Sequence, residues 1–172
     1  MSWGDIGLGI GLVVLGFVLA ELGAWWRDSR TNAARERTLL KAAVDEVASV
    51  TVIATNDRNI LQRELQLVAK REHVVNPLDP IPTGFWEAIR WSPPRRLLDE
   101  SDALTKARSV ARLTQMVNEM ISSREAFRVN NLAMSGFYET LKSYDELLEQ
   151  FLGELIAALN ELGPLLMKAV EA

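Results

Sequence analysis

The sequence predicts an all-α protein: an N-terminal transmembrane helix continuing into an antiparallel three-helix bundle of long helices. Three observations predict it. From Ile6 to Trp26 only Glu21 is charged. Beyond that run, apolar residues recur at alternating steps of three and four, the period of helices packed lengthwise. Helix breakers are concentrated: five of the six prolines lie between Pro77 and Pro94, and no glycine occurs from residue 24 to 83 or from 85 to 135.

The first element is the apolar run. At 1.5 Å per residue, a helix from Ile6 to Trp26 spans about 30 Å, the thickness of a hydrocarbon core. A cleaved secretory signal would place a basic region before the run, whereas the start, "MSWGD", carries Asp5 and no Lys or Arg. Residues 1–27 therefore read as an anchor. On its other flank Arg27, Arg30, Arg35, Arg37 and Lys41 outnumber Asp28 and Glu36. The positive-inside rule then puts the N-terminus outside and residues 28–172 in the cytoplasm, on the cytoplasmic (inner) membrane as a single-pass protein. Trp3, Trp25 and Trp26 fall at the two interfaces as an aromatic belt, with Arg27 and Arg30 beside them.

Gly9, Gly16 and Gly23 are seven apart, and Ala20 shares their face. A face almost without side chains lets helices approach closely, so these four residues are the expected packing surface for a second copy or a partner membrane protein. The plainer reading is that glycine is common in membrane spans. Glu21 lies within two turns of Trp26, where it reaches interfacial water or a polar contact between spans.

The first bundle helix is expected over about residues 28–73. Its seam is Leu40, Val44, Val47, Thr51, Ala54, Leu61, Leu65 and Val68, interrupted at Arg58. The short "VTVIAT" of residues 50–55 has strand-like composition but lies in phase with this seam. The connector, residues 74–100, holds "PIPTGFWEAIRWSPPRR". Its Phe85, Trp86, Ile89 and Trp91 fit a short helix plugging the membrane-distal end of the bundle. Alternatively Trp86, Arg90, Trp91, Arg95 and Arg96 form a partner surface, because Trp and Arg dominate interface hot spots.

The second helix, about 101–133, has N-cap candidates in Ser101 and Asp102 and a seam of Ala103, Ala107, Val110, Thr114, Val117 and Ile121, widened by Leu113, Met120 and Phe127. The third, residues 137–163 or beyond, sets Leu141, Tyr144, Leu148, Phe151, Leu155, Ala158 and Leu162 on a seam with Leu152 and Leu159 beside it. Pro164 is expected to kink or end it.

Composition then limits function. After residue 26, nineteen basic side chains face twenty-one acidic ones, giving a net charge of −2, which is no footprint for nucleic acid. Without cysteine there is no thiolate metal site and no Cys nucleophile. His73 is the only histidine, so a Ser-His-Asp triad would rest on one residue at a helix end, and paired Glu-x-x-His motifs are excluded. The sequence thus assigns no catalytic, cofactor-binding or metal-ligating residue and predicts a protein that is not an enzyme. Basic residues predominate near the anchor and acidic ones in the third helix, two against seven after residue 134, so the anchor's end is the one suited to an anionic lipid surface.

Two function classes remain. One is a scaffold or assembly protein that oligomerises through its span and presents the bundle to partners. The other is a membrane-tethered sensor or regulator in which the bundle or connector binds a ligand or partner. Its visible two-state candidates are Thr51, Arg58 and "NDRN" at residues 56–59. An N-terminal span followed by "DEVASVTVIATNDRNILQREL", "FWEAI" and "VARLTQMVNEM" resembles a group of bacterial single-span membrane proteins with a cytoplasmic helical domain. That resemblance implies the anchored helical architecture and brings no catalytic residue. In organisation the chain is also similar to membrane-tethered coiled-coil proteins of bacterial division and envelope assembly.

Overall fold

The computed structural model describes residues 3–72, 77–83 and 101–171, with side chains from Asn32 onward except that of Ser101. Among the described residues there are three helices: α1, Trp3–Ala69; α2, Ser101–Asn130; and α3, Phe137–Glu171. No strand occurs among the described residues. The chain divides into two compact units, Met1–Thr38 and Leu39–Ala172. The first is helical from Trp3. The second is the three-helix bundle.

The bundle core follows heptads on every helix. In α1 the buried positions are Leu40, Ala43, Val47, Val50, Ala54, Asp57, Leu61, Glu64 and Val68. In α2 they are Ala103, Ala107, Val110, Thr114, Val117, Ile121 and Arg124, and α3 contributes a buried position every three or four residues from Phe137 to Ala169. The expected α2 seam matches. The α1 seam shares Leu40, Val47, Ala54, Leu61 and Val68 with expectation, but the alternate positions are Ala43, Val50, Asp57 and Glu64, whereas Val44, Thr51, Arg58 and Leu65 lie at its edge. In α3, Leu152 and Leu159 are fully buried, Asp145 joins them, and Tyr144, Phe151 and Ala158 flank the core.

Cross-helix pairs fix the directions. Arg58 meets Glu149 at 2.7 Å and Arg71 meets Glu139 at 3.1 Å, so α1 and α3 are antiparallel. Lys106 pairs with Glu161 and Arg124 with Asp145, so α2 and α3 are antiparallel too. Consequently α1 and α2 run parallel, at a level where Glu64 meets Arg124. Three long helices in a bundle hold as expected, but direction does not alternate along the chain. The connector makes this possible. The thirty-one residues between Ala69 and Ser101, at roughly 3.3 Å each when extended, easily return along a 30-residue helix of about 45 Å.

Residues 77–83 show that return. Leu78 and Ile81 are buried in the main core, and Ile81 sits opposite Asn118, in the middle of α2 rather than at the bundle's end. The expected aromatic plug at residues 85–91 lies outside the described residues.

The helix ends have local causes. The α1 terminus closes as a Schellman turn: the Glu72 amide donates to the Leu67 carbonyl and the Arg71 amide to that of Val68, with Arg71 at φ 56°. Gly136, at φ 84°, permits the turn into α3 and accepts from the Thr140 amide. Pro164 does not end α3, which continues to Glu171. The carbonyl that loses its partner belongs to Asn160, an exposed residue, while Leu162, Leu166 and Ala169 hold the helix to the core.

Candidate functional site: a charged core layer and a strapped carboxyl

One layer of the bundle is built entirely of charged side chains. Glu64 of α1, Arg124 of α2 and Asp145 of α3 occupy equivalent heptad positions, and all are at least 98 % buried. Each guanidinium nitrogen of Arg124 donates to a different carboxylate: Nε to Asp145 Oδ1 at 2.5 Å, Nη1 to Glu125 Oε1 at 2.5 Å, and Nη2 to Glu64 Oε2. Arg128 grips the other Glu125 oxygen through Nε and Nη2 at 2.9 and 2.7 Å.

Two guanidiniums thus serve three carboxylates. Burial alone would lower the Arg124 pKa, but Asp145, Glu64 and Glu125 outweigh it and hold the guanidinium firmly charged. Asp145 is pushed upward: burial is the main cause, Glu125 adds to it, and Arg124 only partly offsets them. Its Oδ2 is buried without a hydrogen-bond partner.

Below this layer, towards the aromatic stack of Phe127 and Phe137 at 5.6 Å, lies a smaller core of Val68, Phe137 and Leu141. The α2–α3 turn beyond it leaves Val129, Leu132 and Met134 exposed.

A second buried acid has a different setting. Asp57 is 2 % exposed, and its Oδ2 has no partner. Heptad spacing from the Glu64–Arg124 contact places it level with Val117 of α2, one residue before Asn118. The strap at residues 77–83 lies at this level. Asn118 Oδ1 accepts from the Ile81 amide and its Nδ2 donates to the Ile81 carbonyl, both at 2.8 Å, as a neighbouring strand would. Burial first, and then the charge of Asp79 on the strap, raise the Asp57 pKa to about 6.

A third feature is an apolar cleft of about 330 Å³ between α1 and α3, lined by Val44, Val47, Thr51, Leu159, Pro164 and Met167 among others. A Cβ at Gly163 would meet Val47 Cγ1 at 3.6 Å, an ordinary van der Waals contact.

The residues singled out from sequence are placed as follows. The side chains of Trp3, Gly9, Gly16, Ala20, Glu21, Gly23, Trp25, Trp26, Arg27 and Arg30 lie outside the described residues, although their backbone belongs to α1. Trp86, Arg90, Trp91, Arg95 and Arg96 lie outside them altogether, as does His73. Among the described residues, no helix is long and apolar enough to cross a membrane, and the side chains of residues 6–26 are not among these. Of the two-state candidates, Arg58 is half-exposed and pairs with Glu149, and Thr51 Oγ1 donates to the Val47 carbonyl at 2.7 Å. Within "NDRN" it is Asp57, not Arg58, that enters the core.

Sequence reasoning missed Asp57, Glu64, Arg124 and Asp145. The signal available was their place in the heptads: each falls at a step of three or four from an apolar seam residue. Among the described residues, no group of three or more acidic or His side chains is arranged to hold a metal ion. No protein family, curated protein or solved structure matches the chain.

Proposed function

We propose that this protein is a non-enzymatic helical scaffold held in the cytoplasmic membrane by residues 6–26, N-terminus outside, which presents its bundle to cytoplasmic partners and associates through the Gly9, Gly16, Ala20 and Gly23 face with a second copy or a partner membrane protein. The observation that carries this reading is that the apolar run and the first bundle seam belong to one helix, Trp3–Ala69. The chain between anchor and bundle therefore contains no flexible Gly- or Pro-rich linker. The charged layer adds support. A core position that accepts only complementary charge penalises slipped registers, so the bundle keeps one arrangement. The exposed Val129, Leu132 and Met134 offer an apolar tip to a partner.

Cross-linking in native membranes tests the reading. The parent is expected to yield a dimer or higher species, and Gly16→Ile to reduce that yield while inserting equally well, because a branched side chain prevents close backbone approach. Equal yields overturn the packing face. A fusion at Ala172 to a reporter fluorescent only in the cytoplasm is expected to give signal, and a dark, stable fusion reverses the topology.

A second reading, a membrane-tethered regulator, is favoured by one observation: residues 77–83 fold back onto α2 at the level of a buried acid, Asp57, whose Oδ2 has no hydrogen-bond partner.

A further inference from the structure

We infer that residues 77–83 are an acid-closed strap: with Asp57 protonated the strap stays seated between Asn118 and the core, and ionisation of Asp57 beneath Asp79 drives it off, baring the apolar seats of Leu78 and Ile81.

The geometry carries this. Among the described residues, the strap is held by the paired hydrogen bonds of Ile81 to Asn118 and the burial of Leu78 and Ile81. Asp57 lies at the same level in the core, 2 % exposed, with no hydrogen-bond donor on Oδ2. An ionised carboxylate there is expensive because neither water nor a protein donor solvates that oxygen, whereas the neutral acid fits.

Among the described residues, the groups around it offer no compensation. The strap brings Asp79, a like charge. The facing positions of α2 are Thr114, Val117 and Asn118, none of which titrates, and α3 brings Leu152. Arg58, the adjacent cation on α1, is turned away: its Nε donates to Glu149 at 2.7 Å, and Gln62 donates to the same oxygen. That grip holds the Glu149 carboxyl below its usual range, first through the Arg58 hydrogen bond and then through that of Gln62, so Glu149 stays ionised in the window in which Asp57 titrates and keeps Arg58 engaged.

The direction follows from linkage. The closed state holds Asp57 protonated up to about pH 6, whereas with the strap off and the carboxyl hydrated it titrates near its ordinary 3.8. Opening therefore becomes easier as pH rises from about 4 to about 6 and is insensitive to pH beyond either limit. Burial of a strap over an unpaired acid is otherwise a standing cost. It becomes a device once the cost is switched by one proton. This inference does not rest on the membrane anchor, so it stands or falls separately from the scaffold reading.

The test is amide hydrogen exchange on the full-length chain at pH 4.5 and 7.5, corrected for intrinsic exchange and reported for the Ile81 amide relative to that of Leu155 in α3. Relative protection of Ile81 is expected to fall by at least about tenfold between the two conditions, since each pK unit of differential proton affinity is worth a factor of ten. Asp57→Asn is expected to abolish the fall and leave Ile81 protected at both values. Protection in the parent that does not change, or a fall that survives Asp57→Asn, overturns the proposal. Should Asp57→Asn fail to fold by circular dichroism, the exposed Asp79→Asn replaces it: the fall must shrink, and an undiminished fall overturns the strap's dependence on this charge pair.

Discussion

Asp57 and the Glu64–Arg124–Asp145 layer stand two heptad positions apart on the same core seam, yet the bundle treats their charge in opposite ways. In the layer, every helix contributes an ionisable side chain, and Arg124 distributes its three nitrogens over three carboxylates. At Asp57 the other helices contribute Val117 and Leu152, and the one polar neighbour from the strap is another acid. Burial raises the pKa of both Asp145 and Asp57, but among the described residues only Asp145 has a cation to oppose it. The comparison separates two uses of a buried acid: one restricts how helices can align, and the other makes a local contact depend on protonation.

The largest test of this contrast removes the cation. Arg124→Met strands Glu64 and Asp145 in the core and is expected to cost about 3–5 kcal/mol, read as the urea midpoint at pH 7.5. Converting the whole layer to Leu at positions 64, 124 and 145 is expected to be neutral or to stabilise by up to about 4 kcal/mol, since no desolvated charge is left behind. A triple variant as unstable as Arg124→Met would show that the layer's ions, and not its missing partners, hold the bundle together.

At Asp57 the same logic gives the opposite sign. Asp57→Asn is expected to stabilise the bundle above pH 6 by up to about 3 kcal/mol, the linkage equivalent of raising a carboxyl from 3.8 to about 6. Below about pH 4 parent and variant should converge, because both side chains are then neutral. Urea melts at pH 4 and pH 7.5 decide it, and destabilisation at pH 7.5 would erase the contrast with the charged layer.

Smaller effects sharpen it. Asn118→Ala removes both hydrogen bonds to Ile81 and is expected to cost about 1–2 kcal/mol, while flattening the pH dependence of stability as water reaches Asp57. A full cost with an unchanged pH profile would separate the strap from the acid. Arg58→Ala, which breaks a partly exposed pair with Glu149, is expected to cost less than about 1 kcal/mol by the same melts. A loss near that of Arg124→Met would mean that burial is not what distinguishes the two guanidiniums.

The all-helical class, the three elements and most of the apolar core were legible in the sequence because they rest on periodicity and on breakers. The α2 seam from Ala103 to Ile121 was read residue by residue. In α1 the seam went wrong at alternate positions: hydropathy prefers Val44 to Ala43 and Leu65 to Glu64, and a register set by those two carries Thr51 and Arg58 with it in place of the buried Val50 and Asp57. The choice is settled by partners on other helices. Glu64 is internal because Arg124 is, and Arg124 because Asp145 faces it from 21 residues away. Direction was equally hidden, since nothing local states that a connector of thirty-one residues doubles back. The candidate site was the least legible part, because it consists of the residues that violate the pattern.

The parallel course of α1 and α2 has a consequence for how the chain folds. The α2–α3 hairpin closes over residues 131–136, a short loop with a small entropic penalty, so these helices can pair soon after both exist. The pairs that α1 makes lie much further along the chain, Arg58 with Glu149 at a separation of 91 residues and Glu64 with Arg124 at 60. During synthesis α1 emerges before its partners, so Leu40, Val47, Val50 and Leu61 stay uncovered until later residues supply their faces. Docking of the N-terminal helix after the α2–α3 hairpin has closed is the order expected from these separations.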